Sequence, residues 1–372
     1  MKYYLISGEA SGDLHGSHLI KALKKVDTKA TFRAWGGDLM EQEGAFLVKH
    51  YRELAFMGFW EVISHLPNIL NNIAFCKKDI INYNPEVIIY IDYPGFNLRI
   101  AEWAKKRKFK NHYYISPQVW AWKENRVYNM KKNLDALYVI LPFEKTFFED
   151  KHQFSVHYVG HPLLDYIPKH SKNNSFCQDH AIVSGKPIIA LLPGSRIQEI
   201  NKMLPLFVRV AKYFSGHQFV IAGAPGIIRD QYNVFIDNTS MKIVYNSTYD
   251  LLQHSTAALV TSGTATLETA LFGVPQLVCY RSSILSYWIA KRVIKLKFIS
   301  LVNLILNRSA VIELIQDSLT EENLRYHLKS LLKTSSTKKI EKEYLELNSI
   351  LGKGGASIKT AKLIFDKVSK SL

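Results

Sequence analysis

Four groups of residues in this chain have the types and spacing to do chemistry. The first is Ser7-Gly8-Glu9-Ala10-Ser11-Gly12-Asp13, which interrupts an apolar run starting at Lys2 and gives way to a helical pattern over 14–25. Gly8, Gly12 and Gly16 recur at every fourth residue. That is neither the dinucleotide fingerprint nor a P-loop, whose glycines lead into Lys-Ser/Thr. Glu9 and Asp13 would repel a phosphate but accept hydrogen bonds from sugar hydroxyls. The turn therefore suits a hydroxyl-rich ligand, with Gly8, Glu9, Ser11, Gly12 and Asp13 around it. Read as pure structure, Ser11 or Asp13 caps the helix. The second group is Asp92-Tyr93-Pro94-Gly95-Phe96-Asn97, behind the apolar run Val87-Ile88-Ile89-Tyr90-Ile91. A carboxylate at the carboxyl end of a parallel strand faces the ligand crevice. Asp92 is thus a candidate general base for a sugar hydroxyl, with Glu9 next in line; the alternative is an N-cap for a helix starting near Asn97.

The third group, Pro193-Gly194-Ser195-Arg196, ends another apolar run. Backbone N–H groups of such a turn point at an anion, and Arg196 can pair with it bidentately. A solvated surface turn is the plainer reading. The fourth is Thr261-Ser262-Gly263-Thr264-Ala265-Thr266-Leu267-Glu268. Its N–H groups and hydroxyls sit where a helix begins and can hold a diphosphate, while Glu268, about one turn later, can bind two ribose hydroxyls. An acidic residue there also fits a structural capping box. Besides these, Trp120 and Trp122 share a loop ahead of Arg126 and offer flat apolar contact to a sugar or acyl chain.

The elements that must position these groups alternate between strand-like and helical patterns. Continuous apolar strands, as in a buried parallel sheet, fall at 87–91, 112–115 and 136–141, then at 187–192, 218–222, 242–244, 257–261 and 276–279. Helical stretches cover 98–108, 143–151 and 202–214, and one or two amphipathic helices cover 340–371. A polar connection over 165–186 separates the two series. The expected fold is α/β: two doubly wound Rossmann-like domains facing a cleft, residues 1–180 and 181–339, with C-terminal helices over 340–372.

A formal charge of +16 calls for an anionic partner: nucleic acid, anionic lipid or a phosphorylated substrate. Cys76, Cys177 and Cys279 lie too far apart for metal-ligand spacing and are odd in number, which points to a reducing compartment. The N-terminus runs straight into a strand pattern without the look of a signal peptide, and no apolar run approaches the roughly 20 residues of a membrane span. The expected location is cytoplasmic. Two stretches nevertheless carry an interfacial pattern of apolar or mixed apolar and basic residues: Phe56, Met57, Phe59 and Trp60, and the segment with Lys291, Arg292, Lys295 and Lys297. Each alone also fits a core helix with a solvated basic face.

Taken together, these motifs resemble the lipid-A-disaccharide synthase family, membrane-associated glycosyltransferases of the Gram-negative outer-membrane lipid pathway. The resemblance runs through Ser7–Asp13, Met57-Gly58, Asp92, Pro94, Phe96-Asn97, Ser116-Pro117 and Val119-Trp120-Ala121-Trp122. It continues through Gly160-His161-Pro162-Leu163, Leu192-Pro193-Gly194-Ser195-Arg196, Ser262–Glu268, Ser300-Leu301-Val302-Asn303 and Glu313-Leu314 with Gln316. Departures are Gln118, His15 and the segment Leu306-Asn307-Arg308-Ser309. The resemblance implies the GT-B fold and an inverting transfer from UDP-2,3-diacylglucosamine to 2,3-diacylglucosamine 1-phosphate. It implies Asp92, Arg196 and Glu9 as catalytic, and Gly194, Ser195, Arg196, Ser262, Gly263, Thr264, Ala265, Thr266, Glu268, Asn303 and Gln316 around UDP. Acceptor contacts would be Gly8, Glu9, Ser11, Gly12, Asp13, Asn97, Trp120 and Trp122. It further implies attachment to the anionic inner-membrane surface and no metal or cofactor; the C-terminal helices are expected on the first domain or a partner subunit, with the oligomeric state, a homodimer among the options, left open. Two other functions remain open at this point. A UDP-sugar 2-epimerase shares the two-domain fold but needs no membrane patch; a basic nucleic-acid-binding protein should carry a recognition fold, and none is visible.

Overall fold

A computed structural model describes residues 1–54, 66–282 and 297–370. The chain divides into two compact units. Unit 1 comprises Met1–Asp165 together with the chain from Lys353 onward, and unit 2 comprises Tyr166–Gly352. The boundary falls ahead of the polar stretch over 165–186, and the final helices are shared between the units.

Unit 1 runs β1 (Lys2–Ile6), α1 (Ala10–Val26), β2 (Thr31–Gly36), α2 (Asp38–Gln42), β3 (Phe46–His50), α3 (Leu66–Tyr83) and β4 (Val87–Ile91). It continues with α4 (Pro94–Lys106), β5 (Asn111–Tyr114), α5 (Arg126–Asn133), β6 (Ala136–Val139), α6 (Pro142–Thr146) and β7 (His157–Tyr158). The sheet is parallel in the order β3-β2-β1-β4-β5-β6-β7. Its central strand β4 is fully buried along its length, which is why it reads as an unbroken apolar run. Helix α1 lies close on the sheet because Gly12 and Gly16 carry no side chain. A Cβ at Gly12 would stand 2.8 Å from the Ser7 Cβ, and one at Gly16 would overlap Met40 and press on Ile91.

Unit 2 contains α7 (Phe176–Asp179), β8 (Ile188–Leu192), α8 (Ile197–Ala211), β9 (Gln218–Gly223), α9 (Asp230–Ile236), β10 (Lys242–Tyr245) and α10 (Thr248–Gln253). Then follow β11 (Ser255–Thr261), α11 (Thr264–Leu271), β12 (Gln276–Tyr280), α12 (Leu301–Leu306), β13 (Ile312–Ile315), α13 (Glu321–Leu331) and α14 (Thr334–Leu351). Its parallel sheet has the order β10-β9-β8-β11-β12-β13. Arg308, just past α12, is fastened to α14 by ion pairs with Glu343 at 2.6 Å and Glu346 at 2.5 Å.

The last helix, α15 (Ala356–Ser369), returns to unit 1 and packs along α1. Asp165 caps its start. The carboxylate accepts the N–H groups of Gly355 at 2.5 Å, Ala356 at 3.1 Å and Ser357 at 2.8 Å. These donors have no partner within the helix, and a negative charge suits the positive end of its dipole. Among the described residues, no helix is long and apolar enough to cross a membrane.

Candidate active site

In unit 1 the strand order reverses between β1 and β4, the point at which open parallel sheets gather ligands. Gly8 and Glu9 leave β1 there, and Asp92 leaves β4. A Cβ on Gly8 would stand 2.5 Å from the Tyr93 ring, so only glycine lets the β1 turn pass against it. Glu9 is half-buried at the start of α1. Burial, with the charge of Glu9 added, raises the Tyr93 hydroxyl above the ordinary tyrosine value.

Asp92 and Tyr93 both hold left-handed backbone, at φ 46° and 51°. Neither is glycine, and such conformations cost on the order of 1–3 kcal/mol each. Asn97 and Tyr113 hold them in place. The Asn97 amide donates to the Asp92 carbonyl at 2.7 Å and to the Ile6 carbonyl at 3.2 Å, stitching the two strand ends together. The Tyr113 hydroxyl donates to the same Asp92 carbonyl at 2.5 Å. Just past β5, the β-branched Ile115 is also left-handed, at φ 65°. Strain gathered on neighbouring strand ends points to function. The Asp92 side chain is exposed while its main chain is locked, and α4 begins with Tyr93 at its N-cap and no side-chain cap. The N-cap position of α4 is thus held by Tyr93, one residue beyond Asp92.

Beyond β5, Trp120 donates its indole N–H to Glu144 at 3.2 Å and meets Phe143 edge-on. Trp122 is exposed, with Lys123 and Arg126 4.5 and 5.5 Å from its ring centre. Glu144 was not singled out from the sequence, where it looks like a surface residue of a short helix. It is 1% exposed and also accepts the N–H groups of Ile140 at 3.0 Å and Leu141 at 2.9 Å. Burial pushes its carboxyl up to about 7 against these donors, and the nearby charge of Asp92 adds to the rise.

In unit 2 the order reverses between β8 and β11, and both anion-type turns sit at that point. Gly194 has φ 122°, and a Cβ there would stand 2.5 Å from Glu199. The Ser195 N–H donates to Glu199 at 2.9 Å, and Arg196 lies 3.6 Å from the same carboxylate. Ser195 and Arg196 face solvent. Tyr280, ending β12, lies within electrostatic reach of both Glu199 and Arg196, so β12 borders this turn. Helix α11 starts at Thr264 with no side-chain cap, Gly263 and Thr264 are exposed, and Ala265 is half-buried. Its first N–H groups are available to an anion. Glu268 accepts the Tyr249 hydroxyl at 2.7 Å, and burial raises its carboxyl pKa. Gln316, left-handed at φ 51°, donates to the Ser282 hydroxyl at 2.7 Å.

Several residues expected at ligand contacts have internal tasks instead. Helix α1 begins at Ala10, so Asp13 lies inside its first turn and points inward. Its buried carboxylate accepts N–H groups of Gly37 at 2.8 Å and of Leu39 and Met40 at 3.1 Å, fixing the start of α2 rather than capping α1. Gly12 is a helix-to-strand contact, while Ser11 remains exposed. Asn97 is fully buried and orients the Asp92 turn. Asn303 is also fully buried: its amide donates to Val311 and Glu313, and its carbonyl accepts from Ala310 and Val311. The Thr266 hydroxyl donates to the Gly263 carbonyl at 2.8 Å, and Ser262 donates to Ile299 at 3.0 Å. Thr266 thus braces the turn itself, and Asn303 the connection from α12 to β13. Phe56, Met57, Phe59, Trp60, Lys291, Arg292 and Lys295 lie outside the described residues, and Lys297 is exposed.

The family model described as Lipid-A-disaccharide synthetase matches residues 3–365. Lipid-A-disaccharide synthase of Coxiella burnetii (strain CbuG_Q212) is 34% identical over 369 residues, covering 98% of either chain. That of Syntrophus aciditrophicus is 35% identical over 376 residues, 99% of this chain and 98% of its own. Among solved structures, UDP-GlcNAc 2-epimerase from Neisseria meningitidis bound to UDP-GlcNAc superposes with a TM-score of 0.69 at 13% identity over the whole of both chains. The kitacinnamycin glycotransferase gives 0.63 at 12% identity over 99% of each. At such identities these two likenesses describe the fold, the GT-B-like pairing of parallel sheets.

Proposed function

Because this chain belongs to the lipid-A-disaccharide synthase family of glycosyltransferases, we propose that it joins UDP-2,3-diacylglucosamine to 2,3-diacylglucosamine 1-phosphate. The product is the β(1→6) disaccharide 1-phosphate, and UDP is released. The observation that carries this reading is the Asp92 turn: an exposed carboxylate at the switch point of unit 1, on a strained backbone clamped by Asn97 and Tyr113. In this mechanism Asp92 takes the proton of the acceptor 6-hydroxyl as its oxygen attacks the anomeric carbon. Attack opposite the leaving group inverts that carbon. Negative charge grows on the departing diphosphate, where Arg196 and the N–H groups opening α11 stabilise it. Glu268 holds the ribose hydroxyls, and Tyr249 orients it. Unit 1 holds the acceptor, with Glu9, Ser11, Trp120 and Trp122 near its sugar and chains. The +16 charge and the acylated substrates fit peripheral attachment to an anionic membrane surface.

The test is UDP release from the two acylated sugars. Asp92→Asn should lower turnover by about 10²–10⁴ while leaving UDP affinity intact. Near-parental turnover of that variant would remove Asp92 from the role of base. Conversion of the donor alone into its C2 epimer, with no acceptor consumed, would favour an epimerase instead.

A further inference from the structure

A groove of unit 1 beside the Asp92 turn has no task in the scheme above. It lies between α4 and α5, begins at Pro94 and Gly95, and has a volume of about 230 Å³. Half-buried Leu98 and the edge of Leu134 form an apolar floor, backed by the fully buried Ala101 and Met130. Arg99 and Arg126 stand along it, one from each helix. Neither forms an ion pair with any described residue. The one carboxylate lining the groove, Glu102, is held by Lys106 at 2.9 Å. Arg126 is also close enough to act electrostatically on the Tyr113 hydroxyl, the group that clamps the Asp92 carbonyl. The groove mouth and the proposed base are therefore neighbours.

Two guanidinium groups over an apolar floor select an amphiphilic anion. Arginine matches a phosphate bidentately, which a lysine cannot. The volume is that of roughly eight water molecules, too little for an acylated sugar and enough for one end of it. Of the two proposed substrates, the donor carries its phosphates in a diphosphate ester, for which unit 2 has its own N–H groups and Arg196. The acceptor alone carries a phosphate monoester.

We propose that the α4–α5 groove anchors the acceptor's phosphate monoester through Arg126 and Arg99, with the first carbons of an acyl chain on the Leu98 and Leu134 floor. This assignment rests on the glycosyltransferase substrates proposed above. Its effect is to fix the direction in which the acceptor lies, so that its far hydroxyl meets Asp92.

The experiment compares 2,3-diacylglucosamine with and without its 1-phosphate as acceptor, reading UDP release. The paired change Arg99→Gln with Arg126→Gln should raise KM for the phosphorylated acceptor ten- to a hundredfold with little change in kcat. KM for the unphosphorylated one should stay put, and so should UDP affinity. Gly95→Leu is a second variant that the fold should tolerate, since a Cβ there meets nothing within 4 Å. It should raise KM by occluding the mouth. Equal effects on both acceptors would overturn the anchor while leaving the glycosyltransferase reading intact. So would a loss of binding to phosphatidylglycerol vesicles with acceptor preference kept, which would assign the arginines to a lipid headgroup. Failure of the parent protein to release UDP with either acceptor would overturn both.

Discussion

Replacing Glu144 by glutamine should change how the stability of unit 1 depends on pH. The ordinary glutamate value near 4.5 describes the unfolded chain, and burial lifts the folded value to about 7. Between these two the folded state keeps a proton that the unfolded chain has lost, so folding weakens as pH rises through that window. At 1.36 kcal/mol per pKa unit, the loss comes to about 3 kcal/mol by pH 7–8. Glutamine has no proton to give up, so its variant lacks this slope. It has a different defect: its carbonyl can serve Ile140 and Leu141, but its NH₂ then faces the Trp120 indole donor, at a cost of about 1–3 kcal/mol. The parent should be the more stable protein at pH 5, and its lead should shrink or reverse by pH 8. A change of about 3 kcal/mol corresponds to roughly 6–12 °C in Tm for a unit of this size. The four described tryptophans, Trp35, Trp103, Trp120 and Trp122, all lie within unit 1, so thermal melts followed by intrinsic fluorescence report mainly on it. A gap between parent and variant that is the same at pH 5 and pH 8 would refute the reasoning.

Arg196→Ala should lower turnover strongly with donor binding less affected, checked by steady-state kinetics, because charge on the leaving diphosphate grows in the transition state. Glu268→Ala should weaken UDP binding in a calorimetric titration; an unchanged affinity would remove it from the ribose. Gly8→Ala should destabilise unit 1 by about 1–3 kcal/mol through overpacking against Tyr93, seen as a lowered Tm. Neutralising Lys291, Arg292, Lys295 and Lys297 should release the protein from anionic vesicles at low salt, each contributing about 1 kcal/mol near the surface. Phe56→Ser with Trp60→Ser should weaken sedimentation with vesicles in high salt as well.

The central strands were legible in the sequence because strands buried on both faces must be apolar throughout; β4 and β8 are examples. The sequence reading placed no strand over β2, β3 or β13. Arg33 and Lys49 interrupt the first two, and Glu313 the third. Arg33 is accommodated by Asp79, which it meets at 2.6 Å, and Glu313 by Ile299, Ser300 and Asn303. Both turns of unit 2 were visible as glycine-punctuated strand ends. The roles of Asp13 and Asn303 were not, because their partners, mostly backbone groups, come near only in the folded chain: Gly37 lies 24 positions from Asp13. Glu144 was missed for the related reason that nothing local marks a short helix as buried.

The cap on α15 has a topological consequence. Asp165 is the last residue before the chain leaves unit 1, and Gly355 follows soon after it comes back. One hydrogen-bonded contact thus ties the outgoing and incoming strands of the crossing together. In this respect unit 2 is an inserted module whose two ends emerge side by side, like a cassette in a host domain. Domain insertion is tolerated where ends are close in this way. A short glycine-serine bridge from Asp165 to Lys353 would restore an unbroken unit 1, and residues 166–352 form a natural cassette for exchange between family members. Such chimaeras would pair unit 1 of one relative with unit 2 of another.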